Sequence, residues 1–352
     1  MLSPFLLSAS SGSLSVSTLS GLTAALNAGV TDITLTEAIT APAGGINIPR
    51  IASGRTLRCS GSGLITRGGS SPSGHVLRSD GTGGSLILSG VRVDGGWRTY
   101  LNEFGDTESN FFLPGFTFLR LEDCVSCYSL RTGFYVADSA VVELARCTAF
   151  ANPRDFVWAN QVRDLLVEDC LIQHNGDDSL GTHFDSGQGL IPVSIIFRRN
   201  TIRDGHGAKF HCGAADGTWN GKPSQILFEN NVFEAVSLYG IHGHEGSGHN
   251  TTAPHNVTFR GNTIRDCRKT VPSSPGQSIG VAMRFAWGSF TYDNTFHIEN
   301  NTCVRNSVAH GTTLQSRYTW GALNSPDKPQ NVPGAGAFEG FYSKTGFLPS
   351  AT

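Results

Sequence analysis

Charge is scarce in this chain. Only 15% of its 352 residues are Asp, Glu, Lys or Arg, and 26 bases against 28 acids leave a net charge of −2. That balance gives no electrostatic footprint for nucleic acid or an anionic membrane, so neither is expected as a partner. No run approaches the ~18 apolar residues of a membrane span. The early apolar run Phe5-Leu6-Leu7 has no Lys or Arg before it and passes at once into serine, which makes a poor secretory signal. With charge well below the usual ~25%, helix-rich folds are disfavoured. What the chain has instead is 43 glycines, 21 phenylalanines and 39% hydrophobic residues, the makings of strands and turns around a large core.

Eight cysteines (Cys59, Cys124, Cys127, Cys147, Cys170, Cys212, Cys267, Cys303) could pair, but a chain this long needs no such staples. Cys124 and Cys127 form one CxxC with no second pair at zinc spacing, so reduced, buried thiols are expected. Near the N-terminus, residues 17–29 read as a short amphipathic helix closed by Gly29. Alternating segments at 31–36, 45–48 and 56–59 read as strands that this helix caps.

From about residue 115 the chain repeats. Anchoring on the small polar residue between two apolar pairs gives Cys124, Cys147, Cys170, Asn200, Asn231 and Asn262, in steps of 23, 23, 30, 31 and 31 residues. Ten residues after the first five anchors stand Phe134, Val157, Leu180, Phe210 and Ile241. Short strands with Asn, Gly and Asp turns and no helical period select an all-β fold, a single-stranded right-handed parallel β-helix. Identical positions would stack at roughly 4.8 Å, giving a thiol ladder continued by an asparagine ladder. The expected layout is one domain: an N-terminal segment and capping helix at 1–30, the coil at 31–318, and an irregular extended tail at 319–352.

Register places chemistry. If Leu180, Phe210 and Ile241 point inward, Ser179, Gly181 and His183 share the outer face with Lys209, His211, His242 and His244. Tyr135, Phe156 and Trp158 precede them in the same columns, and Arg284 follows if Met283 is the next inward residue. Aromatic, His, Lys and Arg side chains on one flat sheet suit a sugar-binding groove. Just before these strands, Asp155 and Asp178 stand eight residues after their anchors, with Asp177 beside them and His206 one rung on. Crowded carboxylates push one pKa up, which lets an acid and a base coexist at neutral pH, as glycoside hydrolysis requires. Asn175-Gly-Asp-Asp is also what a tight turn demands. The His242, His244, Glu245 and His249 cluster reads as an exposed loop, and no metal or cofactor is assigned.

Asn175-Gly-Asp-Asp-Ser-Leu-Gly-Thr182 followed by Asp204-Gly-His-Gly-Ala-Lys-Phe210 resembles the polygalacturonase family of glycoside hydrolases, parallel β-helices that cut pectin with inversion. Their NTD, GDD, GHG and RIK segments fall on successive rungs. Asn152-Pro-Arg-Asp155 lies where NTD belongs, and His242 and His244 stand in place of the Arg and Lys of RIK. The resemblance implies that Asp177 is the general acid, that Asp155 and Asp178 position and deprotonate water, and that His206 assists. The architecture also resembles bacteriophage tailspikes and related virion proteins. That likeness implies a homotrimer binding a host-surface polysaccharide, attached to other virion proteins through the N-terminal segment or the tail. It implies a location in the virion after synthesis in the host cytoplasm, with an extracellular location as the alternative. Three functions stay open: a hydrolase, a non-catalytic receptor-binding or structural component, and a lyase with Lys209 or His211 as base and Arg284 facing a uronate.

Overall fold

The structure is a computed structural model that describes residues 13–68, 74–81, 83–96, 108–183, 193–211, 224–244, 255–266, 281–286 and 295–304. The expected tail lies outside these residues. The described strands form three sheets of eleven, ten and nine strands, parallel at every described pairing, through which the chain passes in fixed rotation. This is a parallel β-helix. Strand Phe118–Glu122 of the first sheet leads to Val125–Cys127 of the second, then to Phe134–Ala137 of the third, and the rotation begins again at Val141–Ala145.

Each sheet alternates inward apolar and outward polar residues, so a single continuous core runs along the axis. It includes Leu119, Leu121, Val142, Leu144, Leu165, Val167, Phe197, Phe228 and Phe259, all 2% exposed or less. Phe228 stacks on Phe259 with ring centroids 5.4 Å apart. At the N-terminal end, Leu14–Val16 pairs with Asp32–Leu35 as the terminal rung, and helix Leu19–Asn27 buries Leu22, Ala25 and Leu26 against it. Thr18 caps that helix by accepting the Gly21 N–H at 3.1 Å.

The corners decide which residues the repeat requires. Between the first and second sheets the chain turns on one left-handed residue per rung: Asp123, Arg146, Asp169, Arg199, Asn230 and Asn300, at φ 51–55°, with Gly90 and Gly261 at the equivalent places. Such a conformation costs roughly 1–2 kcal/mol per residue outside glycine. The bend is followed at once by the ladder residue. Asn231 holds four bonds: its Oδ1 accepts from the N–H and Nδ2 of Asn200, both at 3.0 Å. Its Nδ2 donates to the Phe197 carbonyl at 2.8 Å and to Asn262 Oδ1 at 2.9 Å. Asn301 extends the column by one rung beyond the expected three.

The thiols are the same ladder in weaker chemistry. Cys124, Cys147 and Cys170 donate to the carbonyls of Leu88, Leu121 and Leu144 at 3.4, 3.4 and 3.8 Å, the role that Nδ2 plays in the asparagine rungs. Among the described residues, Cys59, Cys124, Cys147 and Cys170 are free thiols. Burial pushes the Cys59 thiol up to about 12 and holds Cys124 and Cys147 well above the ordinary range.

Outside, charges alternate in sign along the columns. Glu168, Arg198, Glu229, Arg260 and Glu299 follow one another in register on the first sheet, and Arg203, Glu234 and Arg265 on the second. Arg198 meets Glu168 at 2.7 Å, and Arg265 meets Glu234 at 2.8 Å. Each exposed pair is worth little, but a slip of one rung would set like charges face to face.

Replacing Asn231 with Ala leaves buried donors and acceptors on two rungs unmet and is expected to cost about 3 kcal/mol, read as a lower urea midpoint. In the native chain, Cys59, Cys124, Cys147 and Cys170 should resist alkylation by iodoacetamide at pH 8 and react only after denaturation, as peptide mass spectrometry would show.

Candidate active site

A second left-handed corner, at Tyr128, Ala151, His174, Asp204, Ala235 and Asp266, separates the second sheet from the third. The residues just after it carry the site. Asn152 and Asn175, 23 residues apart, are buried and stacked there. The Asn152 N–H donates to Asn175 Oδ1 at 3.3 Å, and Asn152 Oδ1 accepts the Ser129 N–H at 3.1 Å. Gly176 lets the next rung approach: its N–H donates to the Asn152 carbonyl at 2.9 Å, and a Cβ there would stand 2.3 Å from the Pro153 oxygen. The turn preference of Asn-Gly-Asp-Asp is therefore satisfied, and the turn also delivers two carboxylates to a fixed point.

The pairing of Val157 with Leu180 puts Asp155 and Asp178 one above the other, and that of Leu180 with Ala208 brings His206 onto the following rung. Asp155 is 1% exposed, Asp178 2% and His206 8%. Asp177 stands beside them with its side chain 34% exposed and Oδ1 3.5 Å from His206 Nδ1. One ligand atom from each of Asp177, Asp178 and His206 falls within 4.8 Å of the others. Ser179 pins the rungs together, its N–H donating to the Gly207 carbonyl at 2.8 Å and its hydroxyl to the His206 carbonyl.

Burial, and then the like charges of Asp177 and Asp178, hold the Asp155 carboxyl well above its ordinary value of 3.8, with Arg154 opposing. The arrangement therefore favours a proton on Asp155 beside a more exposed carboxylate, a difference that acid–base chemistry uses.

On the outer face of the third sheet, Phe112, Tyr135, Trp158, Gly181, Lys209, His242 and Arg284 follow one another in register. Tyr135 lies 4.8 Å from Phe112 and 6.0 Å from Trp158, between ring centroids. Three members were not foreseen: Phe112 itself, His75, which stacks on Phe112 at 4.0 Å, and Arg131, whose guanidinium lies 4.3 Å from the Trp158 ring centre. The 23-residue step from Phe112 to Tyr135 to Trp158 is the sequence signal for the first part of that column. His211 pairs with His244, and His183 with Asn160. For His183, Lys209, His211, His242, His244 and Arg284 only strand register is described.

Three expectations are corrected. Ser179 does not face outward but is fully buried, because the rung-to-rung bonds above consume its polar atoms. Phe156 is likewise buried, its ring edge-on to Phe134 at 5.3 Å. Phe210 is not the partner of Leu180 and Ile241: Ala208 is, since the turn from the Asp204 corner to the third sheet is two residues shorter than the turn from His174. Lys209 therefore joins the column of Gly181 and His242, and His211 that of His244. Glu245 and His249 lie outside the described residues.

A family model described as a right-handed β-helix region matches residues 90–254. Among curated proteins no match is found. The solved structures that the chain matches include two at low similarity. One is the Agl-KA catalytic domain, at 13% identity and a TM-score of 0.37, covering 84% of this chain and 66% of that one. The other is the A-module of the mannuronan C-5 epimerase AlgE4 of Azotobacter vinelandii, at 12% identity and a TM-score of 0.35, covering 80% of this chain and 90% of that one.

Because the folded chain binds a proton on Asp155 more tightly than the unfolded chain does, its stability falls as pH rises above about 4. Asp155→Asn removes that term. Urea unfolding should find the variant more stable than the parent at pH 7, with the difference shrinking toward pH 4.

Proposed function

We propose that this protein binds a polysaccharide along the outer face of the third sheet and hydrolyses its glycosidic bonds at Asp155, Asp177, Asp178 and His206. The observation that carries this reading is the stacking of two buried carboxyls beside a third that solvent can reach. Asp177, a third exposed, is the group able to meet a glycosidic oxygen. Asp178 lies against it as the acceptor for a water proton, and the Asp155 carboxyl one rung before, held well above its ordinary range by burial and by these two carboxylates, helps the cluster retain a proton. His206, 3.5 Å from Asp177, supports the change of charge on that carboxyl during transfer.

The aromatic column lies on the N-terminal side of the acids, where Tyr135 and Trp158 offer apolar surface to a sugar chain running along the axis. The Lys209, His242 and Arg284 register column continues it on the other side. Within 4.8 Å, the Asp177 and Asp178 oxygens are closer than the ~6.5–9.5 Å between carboxyls of an inverting pair that holds water between them. Inversion, which the polygalacturonase resemblance implies, then requires the attacking water to sit outside that gap. The finer assignment is a tailspike-like homotrimer of a virion that recognises host-surface glycan. The free thiols of the ladder support synthesis in a reducing cytoplasm.

The test is reducing-end release from a panel of bacterial surface polysaccharides. Asp177→Asn and Asp178→Asn should each lower turnover roughly 100-fold or more while retaining glycan binding. Proton NMR of the first-formed anomer reads the stereochemistry. Binding without turnover in the parent protein would select the receptor-binding role, and neither activity across a broad panel would select a structural one.

A further inference from the structure

We infer that Asp177, Asp178 and His206 form a site for a divalent transition-metal cation, with the buried Asp155 carboxyl one rung before Asp178. The first ground is geometric. Tetrahedral ligand atoms about 2.0–2.2 Å from an ion stand roughly 3.3–3.6 Å from one another. The three donors already lie within 4.8 Å, so side-chain rotations that close about an ångström complete the set.

The second ground is rigidity. Two of the ligands are neighbours in one turn and the third is on the next rung, and both rungs are tied by the bonds of Ser179 to the Gly207 and His206 carbonyls. Gly176 is seated against Pro153 where no side chain would fit, which fixes the turn that bears the two carboxylates. Side-chain ligands held this way surrender little conformational freedom when the ion arrives.

The third ground is independent of the cluster. Asp155, 1% exposed and one rung before Asp178, has an Oδ1 that meets no hydrogen-bond partner among the described residues. A buried carboxyl oxygen left so is costly unless something charged or polar compensates it. A cation at the neighbouring cluster, or a water the cation carries, supplies that compensation. Asp177, a third exposed, gives the ion its way in.

The donor set names the class of ion. Two carboxylates and an imidazole suit Zn²⁺ or Mn²⁺, whereas Ca²⁺ prefers six to eight oxygens. Three protein ligands leave at least one position for water. This inference does not rest on glycan cleavage: an ion on Asp177 and Asp178 takes the two carboxylates that hydrolysis would use as acid and base, so the metal-bound and the hydrolytic states are alternatives.

The experiment is calorimetric titration of the chelator-treated full chain with Zn²⁺, Mn²⁺ and Ca²⁺ in the absence of glycan. The expected result is one saturable site for Zn²⁺ or Mn²⁺, at least tenfold weaker in Asp178→Asn and in His206→Gln, and unchanged in His244→Ala. Should either buried variant fail to fold, Asp177→Asn at the exposed position decides. In it, Zn²⁺ should no longer raise the melting temperature as it does in the parent. Absence of saturable binding, equal affinity in the parent and Asp177→Asn, or Ca²⁺ bound more tightly than both other ions would each overturn the assignment. Loss of glycan turnover alone would count against the hydrolase reading and leave this one standing.

Discussion

Every rung of this molecule must carry its backbone hydrogen bonds around corners, and the corner asparagine is what allows it. A strand passes its N–H and C=O groups to its neighbours without help, but a one-residue bend points the next N–H away from any carbonyl. In the rungs from Cys170 onward, that N–H finds the side-chain oxygen of the next asparagine, while the amide nitrogen reaches back to a carbonyl of the previous rung. The side chain thus stands in for a missing piece of main chain. A thiol can donate in the same direction, which is why cysteine fills the place in the 23-residue rungs. Buried apolar area supplies most of the driving force, but the ladder determines that the area is buried as a coil of constant cross-section.

The candidate site exists because the second corner uses related devices to a different end. Asn152 and Asn175 close the corner bonds, and the turn that follows is left to carry carboxylates into a position where packing would otherwise place leucine or valine. Polar groups buried at 1–2% exposure are expensive, and this coil retains Asp155 and Asp178 together at adjacent heights. The rest of the surface avoids such juxtapositions by alternating sign, as Glu168, Arg198, Glu229 and Arg260 do. Like charges stacked on one column therefore mark a departure from the rule the molecule follows elsewhere, and departures of this kind concentrate at sites of chemistry.

The coil from Cys124 onward was legible because identical ladder residues recur at regular steps, and a period survives in sequence without any knowledge of contacts. The first rungs were less legible. Asp32–Leu35, Thr56–Gly61 and Ser85–Ser89 already stack in one sheet, yet their steps vary and the ladder position after Ser85–Ser89 holds Val91 in place of Cys or Asn, so no repeat shows. Asp155, Asp177 and Asp178 could be brought together from spacing alone, because the turn before the third sheet has the same length in the rungs of Cys147 and Cys170. Phe210 could not be placed, because the turn after Asp204 is two residues shorter, which sets Ala208 against Leu180 and His206 on the rung after Asp178. Ser179 failed for a different reason: alternation assigns faces within a strand and says nothing about a residue still in the turn. Arg131 over Trp158 has no periodic signal, since a contact reaching across rungs depends on side-chain length.

Stacking by height also orders the way the molecule comes apart. Each rung contacts only its neighbours, so the cost of opening is paid step by step from an end, as in other one-dimensional assemblies. The regular 23-residue rungs hold Asp155, Asp177 and Asp178 between well-matched layers, whereas His206 belongs to the first longer rungs above them, next to the break in register. Opening that advances from the C-terminal end reaches the imidazole before it reaches the carboxylates. A partly opened molecule would then keep its acidic floor and lose its nitrogen donor, so the chemistry of the cluster and the mechanical integrity of the coil's upper half are set by the same layer.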